Sequence, residues 1–274
     1  MEYFPVIDAH THVFPDAVAP KARSSVAEFY NIPTYTTGTF DHIKQIFTPP
    51  EENPEHYKVV RALVSNPATS AKQVASINTF MGEIHQQDDR FVCLGTMHRD
   101  FEAVDEELDR IVELGLKGIK IHNDFQNIPL DDPKYIEVYR KIAARGLPIL
   151  FHMGDAKTLH TRPHNLVNVK RQVPDLVVLA SHMGGYMNWD AAFEAPVLEN
   201  VYYDLSSTLR HVTADQVKRM LDKFGEDHFF FGSDFPVCNP YEDLDRLHAM
   251  DLGDDTFRHV CYDNFLAFED KFLK

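Results

Sequence analysis

Short apolar runs alternate with amphipathic stretches along most of this chain. The runs at 6–12, 59–64, 91–97, 117–122, 148–152, 177–181, 201–205 and 229–233 are rich in Val, Ile, Leu and Phe and have the length of buried strands. Between them lie segments with helical periodicity. In 70–87, Val74, Ile77, Phe80, Met81 and Ile84 fall on one side, and in 101–114 the stripe is Val104, Leu108, Ile111 and Val112. Gly115 and Gly146 stand where C-terminal glycines end helices, Pro133 sits where prolines start them, and Thr213-x-x-Gln216 reads as a capping box. Two further helical segments, 241–250 and 254–272, close the chain. Strand–helix alternation of this kind predicts a parallel α/β protein, with a (β/α)8 barrel (TIM barrel) as the first architecture and an open doubly wound sheet as the second. The exception is the polar, Pro- and Thr-rich stretch 14–56, too long for a bare loop in a compact domain. It is expected to carry short helices and to cover the barrel mouth as a lid-like insertion within a single domain, 1–274.

Chemistry gathers at the carboxyl ends of the runs. His10 and His12 end the first, and because strand side chains alternate faces, positions i and i+2 point the same way, about 6.5–7 Å apart. Two imidazoles so placed can share a cation, although an isolated His-x-His also suits two histidines satisfied by loop hydrogen bonds. Further along, Lys120 and His122 end the fourth run, His152 the fifth, His182 the sixth and Asp234 the eighth. In a barrel all these ends open on one face, so residues distant in sequence converge on one cavity. That repetition favours a metal centre over a set of unrelated core histidines.

Composition narrows the partners. A chain of 274 residues with 44% hydrophobic content suffices for one large core, and its net charge of −15 argues against nucleic acid and anionic membranes. A small-molecule substrate is expected, and a homodimer stays open. Cys93, Cys238 and Cys261 have no CxxC spacing, no secretory leader pattern precedes the first strand, and no apolar run approaches the ~18 residues of a membrane span. A reduced, cytoplasmic protein is expected.

The set Ile7-Asp8-Ala9-His10-Thr11-His12, Gly118-Ile119-Lys120-Ile121-His122, Phe151-His152, Ser181-His182-Met183-Gly184-Gly185 and Phe231-Gly232-Ser233-Asp234-Phe235-Pro236 resembles the amidohydrolase superfamily. Within it, the chain is most similar to the metal-dependent hydrolase family that includes aminocarboxymuconate semialdehyde decarboxylase. The resemblance spans nearly the whole chain. It implies that His10, His12, His152 and Asp234 hold one divalent cation, with His182 as acid/base and Asp234 also catalytic. Three imidazoles and a carboxylate suit Zn²⁺, with Mn²⁺, Fe²⁺ or Co²⁺ as alternatives. Some superfamily members carry a carbamylated lysine bridging two metals, and the stretch around Lys120 is similar to that of urease. An uncarbamylated Lys120 would instead repel a second cation and pair with a substrate carboxylate, or simply make a salt bridge inside the barrel.

The resulting expectation is a metal-dependent hydrolase that activates water against a small ester, lactone or amide. The same constellation also serves non-oxidative decarboxylation of an unsaturated or aromatic acid, and a barrel that binds metal or ligand without turnover is the third reading. The substrate is expected to be anionic. Arg99, Arg162 and Arg210, with Lys157, His160, His164 and His211 nearby, follow strands and would open on the metal face alongside Lys120 and His122. Any long surface loop also holds some basic residues, so the arginines are the weakest members of this set.

Overall fold

Parallel pairing runs through every strand contact of the sheet. In the computed structural model, which describes residues 3–53 and 55–273, β1 (Phe4–Thr11) pairs with β2 (Tyr57–Val64), and β2 with β3 (Phe91–Cys93). A second run of neighbours follows: β4 (Gly95–Thr96), β5 (Ile119–Ile121), β6 (Ile149–Phe151), β7 (Val178–Ala180), β8 (Val201–Asp204) and β9 (Phe229–Phe230). β3 and β4 are halves of one strand interrupted at Leu94, whose N–H still donates to Val64 O. Beyond the last strand, Ala9 N–H donates to Phe231 O (2.9 Å) and Asp234 N–H to His10 O (2.8 Å), which closes the sheet on itself. The fold is a TIM barrel, as the alternation of runs implied.

The period of two sorts the strand residues into layers. Ile119, Ile121, Ile149, Phe151, Val178 and Ala180 join the larger core with the surrounding helices. Ile7, Leu63, Leu150, Leu179, Tyr202 and Phe230 form a separate inner cluster, plugged by Phe265 and Phe268 of the last helix. Lys120 lies between two outward isoleucines, in register with Leu150, so the same alternation turns its amine into the barrel.

Some elements depart from expectation. A helix at Pro163–Gln172, opened by its proline, and a short one at Trp189–Glu194 were not anticipated from periodicity. The expected helix 254–272 is broken into Asp254–Arg258, a π turn at His259–Asp263 and Asn264–Phe272. The break has a local cause, since Val260 O accepts the N–H of Phe231 (2.8 Å) where this segment crosses the last strand. The 14–56 stretch, of which position 54 lies outside the described residues, as do positions 1, 2 and 274 of the chain, carries helices Ala19–Tyr30 and Phe40–Gln45. It is tied to the loop after β9 by Tyr35 N–H to Val237 O (3.0 Å).

Gly154, just after β6, locks two active-face loops together. Its φ is +77°, and a Cβ there would lie 2.4 Å from Tyr186 N, in a stretch where Tyr186 N–H donates to Met153 O. Both backbone conformation and space exclude a side chain. Gly154→Ala is therefore expected to cost about 3 kcal/mol, seen as a lowered urea midpoint at unchanged m value.

Candidate active site

The strand ends deliver three donor atoms to one point. His10 Nε2, His12 Nε2 and an oxygen of Asp234 all lie within 4.8 Å of one another, with His12 Nε2 3.1 Å and His10 Nε2 3.7 Å from Asp234 Oδ1. The outer nitrogens are committed. His10 Nδ1–H donates to Asp204 Oδ2 (2.9 Å) and His12 Nδ1–H to Ser65 O (2.7 Å). Each ring therefore turns a lone pair inward, the arrangement in which a carboxylate or carbonyl behind a histidine fixes it as a metal ligand. His12 Nε2 then faces Asp234 Oδ1 lone pair to lone pair. Such a contact needs a positive centre, so the donor set fits a divalent cation.

Electrostatics favour a neutral His10 beside an ionised carboxylate. Burial, and then the Lys120 charge, push His10 down to about 4. Burial works against ionisation of Asp234, but positive charge shared with His12, His10 and His182 outweighs that, holding the carboxyl well below the usual range. Lys120 Nζ reaches to 3.2 Å from His10 Nε2, and burial pushes this amine down to about 8 against the pull of Asp234 and Asp204.

A second set of imidazoles lies alongside. His182 Nδ1–H donates to Ser206 O (3.0 Å), which leaves Nε2 to accept from His152 Nδ1–H (3.0 Å). His152 Nε2 then accepts from the Tyr30 hydroxyl (3.2 Å), and that oxygen lies 3.0 Å from His122 Nε2. His122 stacks on His152 with centroids 3.9 Å apart, and burial holds both rings well below their usual range. Asp124, fixed by Thr158 and Thr161, stands close to His122 and His152 and is raised to about 6 by burial.

Among the residues expected from sequence, His10, His12 and Asp234 come together, with Lys120 in contact and His182 stacked on His10 at 5.2 Å. His152 stands outside that trio, its ring nitrogens engaged by His182 and Tyr30. The arginines stand elsewhere. Arg99 pairs with Asp132 (2.5 Å), Arg162 donates to Asn188, and Arg210 donates to Cys238 Sγ (2.7 Å). None of the three lines the cavity that holds His10, His12, Lys120, His122, His152 and Asp234. Local carboxylates and polar groups claimed them first.

Sequence reasoning passed over Asp204 and Tyr30. Asp204 closes β8, so the rule that singled out the other strand ends applies to it as well; its carboxylate also accepts His182 N–H (3.1 Å) and the N–H and hydroxyl of Ser206. Tyr30 had no such signal, since it comes from the inserted helix. Replacing Asp204 by Asn should release the His10 ring and lower metal affinity roughly 10–100-fold, measured by chelator competition. An unchanged affinity would confine Asp204 to bracing the Ser206 turn.

The model for the amidohydrolase family matches residues 7–267. No curated protein sequence matches the chain. Among solved structures, a 5-carboxyvanillate decarboxylase from Sphingomonas paucimobilis is 16% identical with a TM-score of 0.66, covering 98% of this chain and 99% of its own. A Pseudomonas putida protein assigned as a 2-pyrone-4,6-dicarboxylic acid hydrolase is 14% identical, TM-score 0.71, covering 99% and 100%. An uncharacterized TIM-barrel protein from Bordetella bronchiseptica reaches 0.75 at 14% identity, covering 98% and 100%. At these identities the likeness to solved structures establishes the barrel, whereas the family assignment rests on a model match across nearly the entire chain: this protein belongs to the amidohydrolase family.

Proposed function

We propose that this protein is a metal-dependent hydrolase acting on an ester, lactone or amide, and the observation that carries the reading is the inward lone pairs of His10 and His12 set against the Asp234 carboxylate. His10, His12 and Asp234 would hold one divalent cation, zinc first by donor type, with His152 as fourth donor once its Nε2 is released from Tyr30. Bound there, the cation supplies Lewis acidity and a water acidic enough to attack at neutral pH. Asp234 would take the proton of an attacking water and return it to the leaving group. The Ser207 hydroxyl donates to Asp234 Oδ2 (2.7 Å), which fixes the carboxylate while Oδ1 faces the histidines. His182, neutral through burial with its Nδ1–H on Ser206 O, would accept from the attacking water through Nε2 once His152 turns away, and Lys120 would offer positive charge to the developing oxyanion.

A carboxy-lyase is the second reading. The observation favouring it is the buried Lys120 amine beside His10, placed to bind a substrate carboxylate, and one of the structural neighbours is a decarboxylase. A small-molecule substrate follows from the family, and the net charge of −15 supports the exclusion of nucleic acid. Among the described residues no helix is long and apolar enough to cross a membrane, and the three cysteines are buried and free, which supports a reducing, cytoplasmic setting.

Elemental analysis should find about one divalent ion per chain, and incubation with esters, lactones and arenecarboxylic acids should give acid from the first two without CO2. Release of CO2 instead selects the lyase. Two ions with a carbamylated Lys120 would end the mononuclear form. His182→Asn should reduce kcat roughly 10²–10⁴-fold at unchanged metal content, whereas His152→Asn should reduce both. Equal metal loss in the two variants would reverse the assignment of His182 to protons and make it a ligand too.

A further inference from the structure

The active-site cavity, about 760 Å³, is far larger than the histidine–carboxylate cluster requires, and most of its lining surface is apolar. Helix Ala19–Tyr30 is the main wall. Val18, Ala22, Val26 and Phe29 recur at one-turn spacing and all line the cavity, as do Ile77 and Phe80 of the helix Val74–Gln87. Only Ala19 of the first helix is buried, and Val18 remains 48% exposed. An amphipathic helix ordinarily spends its apolar face on the core. Here that face is turned to an internal space that Lys120, His10, His12 and Asp234 line together with Lys21, Arg23, Gln73 and Ser76, the larger share of its surface being apolar.

We infer that the cavity is an apolar subsite and that the substrate is amphipathic: an acid, ester or lactone whose polar end reaches Lys120 and the metal cluster and whose body is a chain or a ring system larger than one ring. This assignment rests on the proposed hydrolase reading for the polar end alone. Size decides against a single-ring body, since a cavity of about 150 Å³ already holds a benzene, and a small ligand would leave Val26, Phe29, Ile77 and Phe80 facing water. The inserted stretch thus acts as a specificity wall supplied from outside the barrel.

Calorimetric titration of the protein as isolated with butyrate, hexanoate, octanoate and decanoate tests this without turnover. Affinity is expected to rise about threefold to fourfold per methylene. Val26→Trp, which fills the cavity, and Ile77→Asn, which makes its wall polar, should each weaken decanoate at least tenfold while leaving butyrate affinity and metal content unchanged. Affinity independent of chain length, or decanoate binding that both variants leave intact, overturns the subsite. The two readings fail separately. Chain-dependent binding with no ester, lactone or acid turned over keeps the subsite and removes the hydrolase, whereas turnover of short esters with chain-independent binding does the reverse.

Discussion

Everything at the active face depends on the first strand closing against the last. Asp8 sits at that seam, buried, its Oδ1 accepting Ser233 N–H (2.9 Å) and its Oδ2 the Ser233 hydroxyl (2.6 Å). Burial pushes this carboxyl up to about 7 even against those bonds, a cost tolerated where two strands must be held in one register. The reward is proximity: His12 and Asp234 are 222 positions apart in sequence and 3.1 Å apart in space. A contact of that separation cannot form until the barrel is nearly complete, so the histidine–carboxylate cluster is a property of the closed fold rather than of any local motif.

Closure alone would not aim the side chains. His182 (φ 59°), Ser207 (φ 51°) and Asp234 (φ 65°) all occupy the left-handed region, which costs a non-glycine residue about 1 kcal/mol or more. Each stands just past a strand, where the unusual backbone stops the extended path and turns the side chain toward the cavity. Asp204 then couples the two halves of the site, since one carboxylate accepts from the His10 ring and from the backbone of His182. Neutral rings, a fixed carboxylate and a buried amine are consequences of this packing, and they are the protonation states in which water or a carbonyl can be activated.

Much of this was legible in the sequence because period-two alternation and strand ends are local signals. The eight runs located the strands, and the rule that parallel barrels keep chemistry at carboxyl ends gathered His10, His12 and Asp234 without any contact information. Lys120 was legible for the same reason, as the polar residue between Ile119 and Ile121. What alternation cannot encode is a partner brought by an insertion. Tyr30 reaches His122 and His152 because Ala19–Tyr30 folds back over the mouth, and nothing in its own helix marks it as polar business. The π turn at His259–Asp263 was illegible too, since it answers to a hydrogen bond from a distant strand.

The arginines show why charge counting fails at short range. In a chain with 42 acidic and 27 basic residues, a guanidinium on an active-face loop meets a carboxylate or amide before it meets a ligand. Arg99 finds Asp132 and Asp100, and its charge is spent within its own loop neighbourhood. Such pairs add little stability where they are solvated, yet they neutralise the field that would have steered an anion. Lys120 escapes this because alternation places it inside the barrel, where burial makes its charge costly and the facing carboxylates, Asp234 and Asp204, are held by histidines. The Lys120 amine therefore stands beside His10 and under the pull of Asp234. Lys21 and Arg23 belong to the same cavity lining as Val26, Phe29, Ile77 and Phe80, so it is position inside the barrel, and not the number of cations on a loop, that sets Lys120 against the histidine–carboxylate cluster.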